Sequence, residues 1–244
     1  MANVPMSSIK LTGGRSSVSG MTATVFGASG FLGKYVVNKL GAIGTRVRVP
    51  HRGDEVDVRH LKLAGDLGMI QAHSSSIRKI EDIEEAIEGS NVVINLLGKQ
   101  YETSRWSFSD IHSTFPGVLA EVCATMGVER FVHVSALGGG VDSPSAFSRS
   151  KFLGEEPVRE AFPGATILRP ATMFGDEDKF LNRIAKLSQT MPLYPIIEGG
   201  TTRQQPVFMD DVAEAVFRAA TTPDHMGKTI DLAGVAALQA HDLH

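Results

Sequence analysis

Cysteine is nearly absent from this chain: Cys123 is alone in 244 residues. An internal disulfide is therefore excluded, and a reducing compartment such as cytosol, matrix or stroma fits. Flanked by Val122 and Ala124, the thiol is expected to pack as a small apolar group rather than act as a nucleophile. Long apolar runs are missing too. Nothing approaches the roughly 20 residues that a membrane-spanning helix needs, and the N-terminus lacks the apolar core of a signal peptide. Charge bias is small, with 24 basic and 27 acidic residues mixed along the chain for a net charge of −3. That balance argues against nucleic acid and against a generally anionic membrane surface as partners. Acids are absent before Asp54, whereas Lys10, Arg15 and several serines precede it. The stretch is weakly transit-like but punctuated by Gly and Pro, so residues 1–20 are expected to form an irregular arm.

What is present is enough apolar sequence, 42% of residues, to bury a sizeable core. It is arranged as strand, turn and helix in alternation. Thr22–Phe26 reads as a strand, and Leu32, Val36, Leu40 and Ile43 follow at helical spacing until Gly41 and Gly44 end the helix. Arg46–Val49 reads as the second strand, and Ile80, Ile83 and Ile87 mark one helix face. Asn91–Leu97 is nearly unbroken apolar sequence, the mark of a parallel strand covered on both faces. Pro116–Met126 (helix), Phe131–Ser135 (strand), Ser148–Phe162 (helix), Ala165–Leu168 (strand) and Asp211–Ala220 (helix) complete the pattern. Such alternation predicts a doubly wound α/β fold with a parallel sheet. We expect an arm over residues 1–20, a dinucleotide-binding domain over 21–175, and a small interleaved C-terminal lobe over 176–244. Residues 207–220 would pack back on the larger domain.

The turn Gly27-Ala28-Ser29-Gly30-Phe31-Leu32-Gly33 has G-x-x-G-x-x-G spacing, follows the first buried strand and opens a helix. Gly27 would permit the tight turn, Gly30 would let backbone approach a pyrophosphate at the helix N-terminus, and Gly33 would bring helix and strand close. After the second strand comes Val49-Pro50-His51-Arg52, where an acid would be expected for the ribose hydroxyl of NAD. Arg52 can instead pair with a 2′-phosphate, which favours NADP(H); a solvated loop arginine is the plain alternative. Leu97 and Gly98 end the fourth strand and would let backbone pass near the adenosine half, or simply terminate the strand. His133 on an apolar strand reads as a packed core histidine. His225, His241 and His244 lack metal-ligand spacing, so no metal is expected. Asp210 and Asp211 are placed to cap the helix they precede.

Downstream, Val134-Ser135-Ala136 and Phe147-Ser148-Arg149-Ser150-Lys151 resemble the short-chain dehydrogenase/reductase superfamily, of the extended or atypical kind. Members carry Tyr-x-x-x-Lys on one helical face, in which Tyr moves the proton while Lys lowers its pKa and binds the nicotinamide ribose. Here Ser135 and Lys151 match, but Phe147 stands where the tyrosine should be, and a phenyl ring has no proton to transfer. Several segments further resemble one family, the alpha-subcomplex subunit nine of mitochondrial complex I. They include 13–20 (Gly-Gly-Arg-Ser-Ser-Val-Ser-Gly), 59–68, 91–96, 169–175 and 205–212.

That resemblance implies a tightly held NADPH and a structural, non-catalytic role. It also implies a place on the matrix side of the inner mitochondrial membrane among other complex I subunits, with membrane association through the complex. Family members extend beyond the position of His244. They often carry an Asp near the adenine after the third strand, where this chain has Ser74-Ser75-Ser76. Pro157 should bend the helix that follows Lys151. The expected cofactor-binding set is Gly27, Ser29, Gly30, Phe31, Leu32, Gly33, His51, Arg52, Ser76, Leu97, Gly98, Val134, Ser135, Lys151, Pro170, Ala171 and Met173, with no catalytic residue. The rival readings are a free-standing NADP-dependent reductase or epimerase and an NADPH-sensing regulatory protein.

Overall fold

A computed structural model describes residues 18–190 and 203–239. Most of the proposed arm, His241 and His244 lie outside these residues. The first half of the chain runs β1 (Thr22–Phe26), α1 (Phe31–Ala42), β2 (Arg46–His51), α2 (Val56–Arg59), β3 (Ile70–Ser74), α3 (Ile80–Ile87), β4 (Val92–Asn95), α4 (Phe115–Thr125) and β5 (Arg130–Val134). It continues through α5 (Ala146–Leu153), α6 (Glu155–Ala161), β6 (Thr166–Pro170), β7 (Met173–Phe174), α7 (Leu181–Thr190), β8 (Arg203–Gln204), β9 (Val207–Phe208), α8 (Met209–Thr221), β10 (Thr229–Leu232) and β11 (Leu238–Gln239).

Seven strands form one parallel sheet in the order β10-β6-β5-β4-β1-β2-β3. The doubly wound expectation is met. The chain moves outward from β1 through β2 to β3, then returns to the other side of β1 at β4. The crevice at that reversal, outside the carboxyl ends of β1 and β4, is where such sheets receive ligands. Layering follows from the period-2 pattern of each strand. On one face Val25 and Val47 meet Val36 and Leu40 of α1 and Val212 and Val216 of α8. On the other, Phe26, Val93 and Phe131 meet Ile83 and Ile87 of α3, Leu119 and Cys123 of α4 and Val158 of α6. Each such aliphatic or aromatic side chain contributes roughly 1.5–3 kcal/mol on full burial. Cys123 is buried there as an apolar group, as its neighbours in sequence suggested.

Four details differ from the sequence reading or refine it. First, β2 runs on through Pro50 to His51. The strand is flanked by β1 only as far as Arg48, so the amide that proline lacks removes no bond on that side. Second, the helix predicted over 148–162 is divided at Gly154. Pro157 has no N–H for the Leu153 carbonyl and crowds it, which breaks the helix one turn upstream. Third, α8 starts at Met209 with Phe208 as its cap and no side-chain cap bond, so Asp210 and Asp211 do not cap it. They occupy its first turn, where carboxylates complement the helix dipole, and Asp210 pairs with Lys39 of α1 at 3.2 Å. Fourth, Thr229–Leu232, expected from sequence to belong to the small C-terminal lobe, is the edge strand of the main sheet. No described helix is long and apolar enough to cross a membrane.

Candidate functional site

The Gly27–Gly33 turn joins β1 to α1, and each glycine has a measurable reason. Gly27 has φ +81°, and a Cβ there would stand 3.1 Å from the Leu96 and Leu97 backbone at the end of β4. At Gly33 a Cβ would fall 2.4 Å from the Gly27 carbonyl oxygen and 2.5 Å from the Ala28 Cα, so any side chain would push α1 off its turn. Gly30 is extended, caps α1 without a side chain, and is exposed with Ser29. The first turn of α1 holds no acid. Its free amides and positive dipole end, the donor set that a pyrophosphate needs, are therefore unmatched by any acid of the helix's own first turn. Leu32 is buried beneath this turn, and Phe31 packs edge-on to Tyr35 at 6.1 Å.

Around the same edge, the ends of consecutive strands place the other expected residues: Pro170 (β6), Val134 and Ser135 (β5), Leu97 and Gly98 (β4), His51 and Arg52 (β2) and Ser76 (after β3). Ala171 and Met173 follow β6, and Met173 pairs with Val207. Lys151 of α5 is only 4% exposed and ties two of these ends together. Its Nζ donates to the Leu97 carbonyl and to the Val134 carbonyl, each at 3.0 Å. A Cβ on Gly98 would lie 3.2 Å from that Nζ. Ser135 Oγ donates to the Lys151 carbonyl at 3.4 Å. Burial pushes the Lys151 amine down to about 8, with Glu155 pulling the other way.

Two histidines lie beside Lys151. His112 sits on a π-helical turn, Asp110–Thr114, that runs into α4. Its Nε2 accepts the Lys99 N–H at 3.0 Å, so the proton is on Nδ1, which donates to Ser150 Oγ at 2.9 Å. Ser150 in turn donates to the Phe147 carbonyl at 2.8 Å. Burial and the Lys151 charge hold His112 down to about 3, a neutral ring. His133, fully buried on β5, accepts from Asn95 Nδ2 at 3.2 Å and is likewise held neutral by burial. It is a core histidine, as read from sequence. Phe147 packs edge-on to His112 at 5.2 Å and to Phe108 at 6.2 Å. At the position of the superfamily tyrosine, then, stands a ring in an aromatic cluster, with no ionisable oxygen.

The model of the NAD dependent epimerase/dehydratase family matches residues 23–233. The chain belongs to this family. Among curated relatives it is 45% identical, over 91% of its own length, to the mouse mitochondrial protein "NADH dehydrogenase [ubiquinone] 1 alpha subcomplex subunit 9". It is 46% identical, over 96% of its length, to the Arabidopsis thaliana protein of the same name. The likeness to subunit nine read from the motifs thus extends over nine tenths of the chain. The chain spans about three fifths of those relatives, 59% of each. Among solved structures, UDP-glucuronic acid 4-epimerase from Bacillus cereus in complex with NAD superposes with a TM-score of 0.76 at 20% identity, covering 91% of this chain and 81% of that one. At that identity the likeness speaks for the fold alone.

This family membership fits the edge just described, whose glycines, helix N-terminus and Lys151 suit a dinucleotide. Sequence reasoning missed several members of the site. Nothing in the aperiodic stretch 99–114 pointed to Trp106, or to His112 against Lys151. Where the third strand ends in serines, an acid is supplied from elsewhere: Asp82 of α3 accepts the Ser76 N–H at 2.9 Å. Glu155, one turn past Lys151, is buried and takes a two-bond fork from Arg169 at 2.7 and 2.8 Å. A lone Glu after a helical lysine carries no sequence sign of that partner, which lies on β6.

Proposed function

We propose that this chain binds NADPH as a structural ligand and serves, without catalysis of its own, as an accessory subunit of mitochondrial NADH:ubiquinone oxidoreductase. The observation that carries the reading is Phe147. The turn, the strand ends and Lys151 that would hold a dinucleotide are all in place, while the group that would move the proton is not. Bound nucleotide supplies hydride chemistry in this family's fold. Here Lys151 is already committed to the Leu97 and Val134 carbonyls, and His112 is a neutral, internally bonded ring. Arg52, exposed beyond β2, would take a 2′-phosphate, hence NADPH rather than NADH.

A ligand that binds only the folded state adds RT ln(1 + [L]/Kd), on the order of 3–4 kcal/mol at several hundred times Kd. Against a typical stability of about 5–15 kcal/mol, that is reason enough to keep a cofactor after losing the tyrosine. The relatives' names support a place in mitochondrial complex I, with other subunits as partners; we propose the matrix side of the inner membrane for it. Arm, nucleotide-binding domain and small C-terminal lobe would then be the working parts.

The test is made on native material. Mass spectrometry of the extracted nucleotide should find NADP(H), and the protein should migrate in a very large membrane assembly. Carbonyl substrates should leave the bound reduced nicotinamide unoxidised. Catalytic oxidation, or a small soluble oligomer, would replace this reading with a free-standing reductase.

A further inference from the structure

Three loops leave the carboxyl edge of the sheet on the adenosine side, and each brings one residue to the same place. Arg52 follows β2, Arg78 follows β3 and Trp106 follows β4. The guanidinium carbon of Arg78 lies over the Trp106 ring, 4.1 Å from its centroid, and that of Arg52 is 5.8 Å from the same centroid. Arg78 also donates from Nη2 to the Arg105 carbonyl. The indole is itself held. Thr103 and Trp106 exchange both backbone bonds, at 3.0 and 3.1 Å, and the Ser107 N–H is anchored on Asp110 Oδ2 at 2.9 Å. Among the described residues neither guanidinium is within ion-pair distance of a carboxylate, and two cations lie beside one indole; Asp110, which lines the same cavity, feels the Arg78 charge but does not pair with it. Arg78 and Trp106 also form one side of a cavity of about 330 Å³, whose other walls include Ile77, Phe115 and Val118.

We propose that Arg78, set in place by Trp106, is a second specificity-determining residue for a 2′-phosphorylated adenosine, closing on the phosphate that Arg52 also contacts. The proposal rests on the NADPH reading above. A single exposed arginine gains little from an anion because water screens it and its side chain must be ordered. An arginine already held flat on an indole loses less freedom when its planar fork meets a phosphate. A 2′-phosphate brings up to two negative charges, which answers two cations that form no ion pair. A 2′-hydroxyl brings none.

The test uses the full chain, freed of nucleotide by charcoal treatment, with adenosine 2′,5′-bisphosphate and 5′-AMP as calorimetric probes. Arg78→Gln should weaken the bisphosphate about tenfold, the loss of one charge-assisted contact, and leave AMP unchanged. Arg78→Lys should recover part of that loss. Trp106→Leu, which keeps both cations but frees Arg78, should weaken the bisphosphate by a smaller factor. Wild-type preference for the bisphosphate that survives Arg78→Gln undiminished, or an equal loss for both probes, would overturn the role of Arg78 alone. Wild-type protein with no preference for the bisphosphate would overturn the NADPH reading and this inference together.

Discussion

Replacing Lys151 by Met should change how stability depends on pH more than it changes stability at pH 7. The wild-type amine falls from its ordinary 10.5 to about 8 because it is buried. At about 1.36 kcal/mol for each tenfold change, that fall corresponds to about 3.4 kcal/mol. Below pH 8 the lysine is charged both folded and unfolded, and the folded state bears the whole desolvation cost. Between 8 and 10.5 the folded protein has shed the proton while the unfolded chain retains it, so wild-type stability rises with pH. About 2 kcal/mol of the total should be recovered between pH 7 and pH 9.5. The methionine variant lacks this titration. At pH 7 it escapes the burial of a charge but leaves the Leu97 and Val134 carbonyls without their donor, a loss of about 1 kcal/mol each. The variant should therefore lead by about 1.4 kcal/mol at pH 7 and trail by about 0.6 kcal/mol at pH 9.5, a swing of about 2 kcal/mol. Urea unfolding followed by far-ultraviolet circular dichroism at both pH values measures the difference directly. A wild-type minus variant difference that stays flat would show that Lys151 titrates like a solvated lysine, and the account of its burial would be wrong.

Other perturbations read the same architecture. Gly33→Ala should destabilise by about 1–3 kcal/mol through overpacking against the Gly27 carbonyl, more than the roughly 1 kcal/mol of helix propensity it gains. A melting temperature lower by several degrees is expected, and an unchanged or higher one would contradict the close turn. Glu155→Gln should cost about 2–3 kcal/mol, below the full figure for a broken buried pair because Arg159 and Arg169 remain partly hydrated. Burial pushes the Glu155 carboxyl up, but the Arg169 fork, a Ser135 bond and the charges of Arg169 and Arg159 together outweigh it and hold the group below its ordinary range. Its contribution is thus present at neutral pH and lost as pH falls through that lowered value. Wild type should lose stability more steeply than the glutamine variant below pH 4.5, and parallel acid curves would refute the network. Cys123 is buried, with its thiol pushed well above the ordinary range, so Ellman's reagent should react only after denaturant is added. Rapid labelling of the native protein would place it elsewhere.

Local chemistry made the first half of the chain legible. The glycine spacing, the unbroken apolar run before Leu97 and the helical repeat after Gly30 are short-range patterns, each with one economical fold. The Gly27 turn therefore lies where it was expected. The break at Gly154 was also local in cause, since it follows from a proline without an amide, whereas β2 can run on through Pro50 only because β1 stops flanking it at Arg48. Phe147 needed only the sequence, because the absence of a titratable proton does not depend on the surroundings.

Tertiary structure decided whatever depends on partners distant in the chain. Whether a short segment such as Thr229–Leu232 joins the sheet is settled by the free edge of β6, not by its own four residues. Asp82 serves the loop after β3 because α3 happens to begin beside it. The pairing of Lys151 with two strand-end carbonyls, the neutral state of His112 and the meeting of Arg52, Arg78 and Trp106 all arise where separate strands deliver their loops to one edge. Burial and charge act through space, and a sequence states neither distance nor solvent.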